Sequence, residues 1–311
     1  MTPQTAKTLL VILAVALCLG GGDLSLDAAQ AYAEGERILF AGHNGASWDI
    51  WSVRPDGKAL RRLTSWPGDE RRPALRQGRL LYVNGERRLE LMDLTSGQRR
   101  SLLATEPGYH DQPVWLADGS FLYVQYLVLP QDKSSIRLCR VTADGKNWEP
   151  PRLLHPPEHN RLFPAPAPAG QRFAFTEAIR SSAGLYEEIG IAHLENEQAE
   201  LLTDFKADSL RPAWSPDGRR LLFCSNRDGN YDIWLLDLAS RAYRRLTDHP
   251  AYDCDPTWSP DGGRFAFISS RQGGRRLWIK PIDGGPARLV ADMPAMDPVW
   301  TTEPEQEARR P

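Results

Sequence analysis

Trp214-Ser215-Pro216-Asp217-Gly218 returns later in the chain as Trp258-Ser259-Pro260-Asp261-Gly262, and Arg62-Leu63-Thr64 returns as Arg245-Leu246-Thr247. Self-similarity at a regular spacing marks a repeat architecture, and extension from these anchors divides the chain into six copies. Each copy has a short strand ending in an aromatic residue: Phe40, Tyr82, Tyr123, Phe175, Phe223 and Phe267. A second strand is entered by Ile50, Leu89, Ile136, Ile189, Ile233 and Leu277. Apolar residues then fall at every second position, which is the strand periodicity. Turns such as Pro55-Asp56-Gly57 and Asp283-Gly284-Gly285 follow, where Gly tolerates the positive φ of a hairpin. A third strand carries Leu63, Leu103, Leu154, Leu202, Leu246 and Leu289. A loop then leads to Pro73, Pro113, Pro164, Pro212, Pro256 and Pro298. Two residues past the proline, four copies have a tryptophan: Trp115, Trp214, Trp258 and Trp300.

Units of about 40–50 residues with four strands have the size of a β-propeller blade. One blade cannot bury both of its faces, so neighbours must stack about an axis, and the recurring aromatics read as packing between blades. The ends of the array are complementary. The first copy begins at Arg37 without a Pro-x-Trp strand, whereas Asp297-Pro298-Val299-Trp300 is an innermost strand with no blade after it. The C-terminal strand is therefore expected to pair with Ile38 to Phe40, completing the first blade and removing open sheet edges. The expected fold is all-β: a six-bladed β-propeller of four-stranded blades over residues 34–302, with residues 303–311 as a polar tail.

Composition excludes several classes. Lys+Arg total 38 against 40 Asp+Glu, a formal net charge of -2, which lacks the basic footprint of a nucleic-acid binder. Twenty-five prolines argue against a helical bundle or coiled coil. Leu9 to Leu19 is an uncharged apolar run preceded by Lys7, and Ala31-Tyr32-Ala33 offers a small-x-small cleavage site. Residues 1–33 read as a secretory signal peptide, too short in its apolar part for a spanning helix; the alternative is an uncleaved N-terminal anchor. Cys18 invites lipid attachment, but Leu17 stands where a small residue would precede such a cysteine. Cleavage leaves Cys139, Cys224 and Cys254, which allow at most one internal disulfide.

The Pro-x-Trp-Ser-Pro-Asp-Gly phrase, the Ser225-Asn226-Arg227-Asp228-Gly229-Asn230-Tyr231-Asp232-Ile233-Trp234 stretch and Arg244-Arg245-Leu246-Thr247 resemble the WD40-like repeat of TolB-type propellers. Copies five and six match well. Copy one matches in its second half, and copies two to four match in outline. The resemblance covers roughly residues 36–301 and implies the fold. It also implies a propeller-only relative, without the α/β domain that precedes the TolB propeller. Related repeats occur in prolyl-oligopeptidase-type enzymes, whose triad lies in a separate hydrolase domain, and in secreted polysaccharide lyases that hold a metal through histidines.

No G-x-S-x-G, H-E-x-x-H, phosphate-binding G-x-x-x-x-G-K or C-x-x-C motif occurs. In a propeller, the loops leading to each innermost strand run toward the axis, so the residues before each repeat proline are expected to line one mouth of the channel. Arg71, Arg72, His110, Asp111, His159, Arg161, Arg211, Asp253, Asp255 and Asp297 form this candidate ligand-binding set. Basic residues gather on the earlier copies and acidic ones on the later. His110, His159 and Asp111 lack a clear further metal ligand. Asn226 to Asp232 looks superficially like a calcium loop but lacks the bidentate Glu. Two copies carry insertions on the same face: Tyr126, Leu127, Val128, Leu129 and on to Asp132 in copy three, and Ala178 to Gly184 in copy four. The apolar tip of the first, Tyr126 to Leu129, is a candidate partner-binding surface. The reading is a periplasmic or secreted monomeric module that binds an envelope protein or peptide, with no integral span, no nucleic acid, no metal and no cofactor. The alternative is a polysaccharide lyase or sugar binder using His110, His159 and nearby Arg and Asp residues.

Overall fold

The period-two pattern folds as antiparallel strands throughout. The computed structural model describes residues 35–127, 133–140, 142, 147–154, 160–182, 184–196 and 198–302. The expected leader, the polar tail, Val128, Leu129 and His159 lie outside these residues. Blade 1 contains β1 (Arg37–His43), β2 (Trp48–Val53) and β3 (Arg61–Arg62). Blade 2 contains β4 (Arg71–Arg76), β5 (Arg79–Val83), β6 (Leu89–Asp93) and β7 (Arg99–Leu102). Blade 3 contains β8 (Tyr109–Trp115), β9 (Phe121–Leu127), β10 (Lys133–Cys139) and β11 (Arg152–Leu153). Blade 4 contains β12 (Asn160–Pro166), β13 (Arg172–Ser181), β14 (Gly184–His193) and β15 (Ala199–Leu201). Blade 5 contains β16 (Ser209–Trp214), β17 (Arg220–Ser225), β18 (Asp232–Asp237) and β19 (Tyr243–Arg245). Blade 6 contains β20 (Asp253–Trp258), β21 (Arg264–Ser269), β22 (Arg276–Pro281) and β23 (Arg288–Ala291). The last strand, β24 (Ala295–Thr301), returns to pair with β1 in the register Ile38↔Trp300 and Gly42↔Ala295. The inner strands then touch in the order β4, β8, β12, β16, β20, β24 and back to β4, which closes the ring.

The repeated residues have physical jobs. The six strand aromatics, Phe40 to Phe267, are all fully buried. The Pro-x-Trp tryptophan bridges blades: Trp115, Trp214 and Trp258 donate their indole N–H to the carbonyls of Ala74, Ala165 and Ala213 in the preceding blade, at 2.9–3.0 Å. Arg172, Arg220 and Arg264 lay their guanidiniums over the tryptophan of the next blade, Trp214, Trp258 and Trp300. Each such cation–π contact contributes about 0.5–2 kcal/mol. In the Ser-Pro-Asp-Gly turns, the Ser215 and Ser259 hydroxyls donate to Asp217 and Asp261 and accept from the Arg220 and Arg264 amides. Gly218 and Gly262 take φ near +68° and +69° there, which an L side chain resists.

The Asp-Ile-Trp and Arg-x-Thr phrases lock a blade's outer edge. Arg245 Nη2 donates to Asp232 at 2.5 Å, while Thr247 Oγ1 donates to Asp232 and accepts from Ile233 N. In blade 1, Arg62 likewise donates to Asp49 and Thr64 Oγ1 accepts from Ile50 N. Cys224 of β17 and Cys254 of β20 are joined as a disulfide between blades 5 and 6, with Cα atoms 5.0 Å apart; Cys139 is free and buried. Among the described residues, no helix is long and apolar enough to cross a membrane.

Candidate functional site at the channel mouth

The inner strand of every blade slips register against its neighbour at the residue before the repeat proline, as where Arg71↔Val83 is followed by Ala74↔Leu81. One extra residue is accommodated as a β-bulge, and a bulge re-aims the side chain it carries. The six bulge residues are Arg72, Gln112, Phe163, Arg211, Asp255 and Asp297, all with φ of +50° to +57°. Non-glycine residues seldom adopt this left-handed backbone and do so where the surroundings enforce it. The proline that follows has no N–H to leave unpaired at the break in the ladder.

These six side chains meet around the axis. With the six prolines they line a cavity of about 170 Å³. Arg72 on blade 2 and Arg211 on blade 5 come from opposite sides of the ring, and both donate to Asp297 Oδ1 on blade 1, Arg211 at 3.1 Å. Arg72 also contacts Asp111 at 3.2 Å, and Arg211 contacts Asp255 at 2.8 Å. Phe163 receives both guanidinium groups, with carbon-to-ring distances of 5.5 Å for Arg72 and 4.4 Å for Arg211. Gln112 accepts from the Phe163 backbone N–H and donates to Tyr126 Oη at 3.3 Å. The axis is thus bridged at this level by ion pairs, and the cavity these residues line with Val114 and Val299 is a cup on the axis. Burial alone would raise the Asp297 carboxyl, but the Arg72 and Arg211 charges outweigh it and hold the group below the usual carboxylate range. Desolvation would lower Arg72, yet the surrounding Asp297, Asp111 and Asp255 charges raise it above its ordinary value.

The other expected site residues are placed differently. His110, Arg161 and Asp253 stand two positions before the bulge residue, as do Glu70, Ser209 and Ala295, and all six are buried. None of them lines the cavity. His110 packs edge-on against Tyr123, Arg161 pairs with Glu177 at 3.1 Å, and Asp253 pairs with Arg271 at 2.7 Å. The reason is geometric: the bulge breaks strict alternation, so residues that are neighbours in sequence part company in space. Arg71 lies near the surface, pairing with Asp69 and covering Trp48. Asp111 sits beside the cup, held by Arg72 and, at 3.9 Å, by Arg87. Among the described residues, no group of three His, Cys, Asp or Glu side chains is arranged to hold a metal ion. Asn226 to Gly229 is a turn closed by Gly229 N–H donating to Asn226 O, and Asp232 belongs to the Arg245 lock.

The blade-4 insertion extends the middle strands past the start of the inner strand, and the described residues of the blade-3 insertion, Tyr126 and Leu127, lie at the same mouth end. Tyr109, first in β8, pairs with Tyr126, and Asn160, first in β12, pairs with Ala178, beyond which the hairpin runs on to Ser181↔Gly184. Tyr126 and Leu127 are half-buried, and Arg87 covers the rings of both Tyr109 and Tyr126 at 5.0 and 5.2 Å. Burial pushes the Tyr126 hydroxyl up to about 12, the Asp111 charge adding to the rise. Exposed apolar surface is present at Tyr109 and at Leu185, which is 63% exposed on the blade-4 hairpin. Gln112 and Phe163 lie in the stretches before the repeat prolines that the sequence places at the mouth, and only the charge-based ligand-binding set omits them. Arg87 and Glu187 come from outer hairpins, and no sequence signal placed them at the mouth.

Ring closure by β24, blades locked through tryptophan and arginine, and an axial cup define a closed six-bladed propeller. The chain belongs to the TolB propeller family: the family described as TolB beta propeller domain matches residues 121–306. It is similar to the Tol-Pal system protein TolB of Gluconobacter oxydans, 31% identical over 116 residues, covering 37% of this chain and 24% of that protein. The chain thus aligns with a quarter or less of the length of the curated relatives it matches. Among solved structures it is similar to TolB from Acinetobacter baumannii, with a TM-score of 0.70, 19% identity, and coverage of 85% of this chain and 66% of that one. The structure of a putative TolB from Agrobacterium tumefaciens matches with a TM-score of 0.64, 21% identity, and coverage of 85% and 91%. Identity at this level speaks for the fold alone.

Proposed function

We propose that the protein is an exported, periplasmic binding module of the cell envelope that receives a protein or peptide segment in the axial cup. It carries no chemistry of its own. The observation that supports this most directly is the ion-paired bridge across the axis. Arg72, Arg211 and Asp297 bridge the axis beside the cup, and Tyr109, Tyr126 and the blade-4 hairpin with Leu185 stand at the mouth end of the inner strands. Aromatic residues and arginine over a preformed concavity suit docking, since such groups dominate binding energy at protein interfaces. The relative named for the Tol-Pal system agrees with an envelope setting, and the leader-like Leu9 to Leu19 run agrees with export.

The test is affinity capture from an envelope extract of the cells that make the protein, using wild type beside an Arg87→Ala/Tyr109→Ala variant of matched circular dichroism. A partner captured by wild type and lost by the variant supports docking at the mouth. A partner retained by both moves the interface off this face and overturns the reading.

A further inference from the structure

On the blade 6 to blade 1 side of the axis, Asp255 and Asp297 face each other across the guanidinium of Arg211. Asp111, Asp255 and Asp297 share Arg72 and Arg211. Asp297 Oδ1 accepts from both arginines, yet Asp297 Oδ2 has no hydrogen-bond partner, although the side chain is only 6% exposed and lines the cavity. On the blade-4 hairpin, Glu187 stands half-buried near Asp208 and Arg211. Burial raises its carboxyl above the ordinary value, the Asp208 charge adds to the rise, and Arg211 opposes it. Asp208 already accepts from Tyr231 Oη and Asn226 Nδ2.

A buried carboxylate oxygen without a donor is costly, and a charged donor satisfies it best. A ring in the same cup already stacks against a guanidinium, Phe163 with Arg211. An incoming carboxylate would face Asp255 and Asp297 at once, and like charges held close repel.

We propose that this side of the mouth is a subsite for a basic side chain, lysine or arginine, of the segment bound in the cup, its N–H groups donating to the Asp297 and Asp255 carboxylates. Glu187, close enough to Arg211 to feel its charge, stands on the blade-4 hairpin. The inference rests on docking at the mouth and specifies its chemistry.

The probe is a set of twelve-residue peptides selected from a random displayed library on the full chain, purified as its cells process it, and then resynthesised. The selected peptides are expected to share a lysine or arginine. Replacing that residue by norleucine or citrulline is expected to weaken binding about tenfold or more, as loss of a desolvated charge partner does. Asp297→Asn and Glu187→Gln are expected to weaken the basic peptide while leaving its norleucine form unchanged. Glu187→Gln lies outside the ion-pair bridge, so it carries the test if Asp297→Asn fails to fold. Peptides that lose binding with Arg87→Ala/Tyr109→Ala but need no basic residue would overturn the subsite and leave the mouth reading standing. Peptides indifferent to that variant, or no selection at all, would overturn both. Stoichiometric binding of calcium chloride alone, lost in Asp297→Asn, would assign the acidic side to a metal ion and overturn the proposal.

Discussion

Glu70 and His110 occupy the same place in blades 2 and 3, two residues before the bulge, and both are sealed from water. Burial raises the Glu70 carboxyl to about 7, with the Asp49 charge adding to it. A carboxyl with a raised folded-state value stabilises fully below its unfolded value of about 4.5, and that contribution is lost as pH rises through 7. Glu70→Gln is therefore expected to leave stability at pH 5 nearly unchanged and to raise it at pH 8 by on the order of 1–3 kcal/mol in urea unfolding. His110 acts at the other end. Burial lowers it to about 4, the Arg88 charge contributing, so its stabilisation is present above about 6.5 and lost as pH falls through 4. His110→Phe is expected to flatten the acid limb of the unfolding curve between pH 6.5 and 4. Trp258→Ala removes the indole bond to Ala213 O and its packing between blades, at an expected cost of about 3–5 kcal/mol in the same assay. At this scale the sequence was half legible. Charge and proximity to proline picked out Arg72, Arg211, Asp255 and Asp297, but they picked out His110, Arg161 and Asp253 equally, because residue type does not report which way a side chain leaves a bulged strand.

The bulged inner strand and the locked outer edge are the two devices repeated at the level of elements. The outer strands are short, as in β3 and β19, and short strands hold few ladder bonds. The Asp232, Arg245 and Thr247 lock supplies what the ladder lacks, since Thr247 Oγ1 both donates to the buried carboxylate and accepts from Ile233 N. Thr247→Val keeps the shape and removes both bonds, with an expected cost of about 1–3 kcal/mol. Hydrogen exchange is expected to quicken at Ile233 and along β19 while the amides of β17 stay protected. The Arg-x-Thr phrase was legible as a repeat, and its purpose was not, because its carboxylate partner lies thirteen or fifteen residues away on another strand.

The ring as a whole is held by closure. β24 brings the end of the chain to its first blade, and each tryptophan contact ties one blade to the next. The Cys224–Cys254 disulfide adds a covalent tie between blades 5 and 6. In protein recovered from an oxidising compartment, thiol titration after unfolding is expected to find Cys139 reactive and Cys224 and Cys254 unreactive until reduced. Cys224→Ser/Cys254→Ser is expected to lower stability by about 2–4 kcal/mol. Periodicity, turn chemistry and the complementary ends of the array were enough by themselves to determine six four-stranded blades and their closure, because those features are local and recur at fixed spacing. Only the tertiary structure decided that the axis is bridged, which of the charged residues before each proline face the cup, and that Cys224 pairs with Cys254. These depend on bulge geometry and on contacts between blades that neighbour each other in space while lying far apart along the chain.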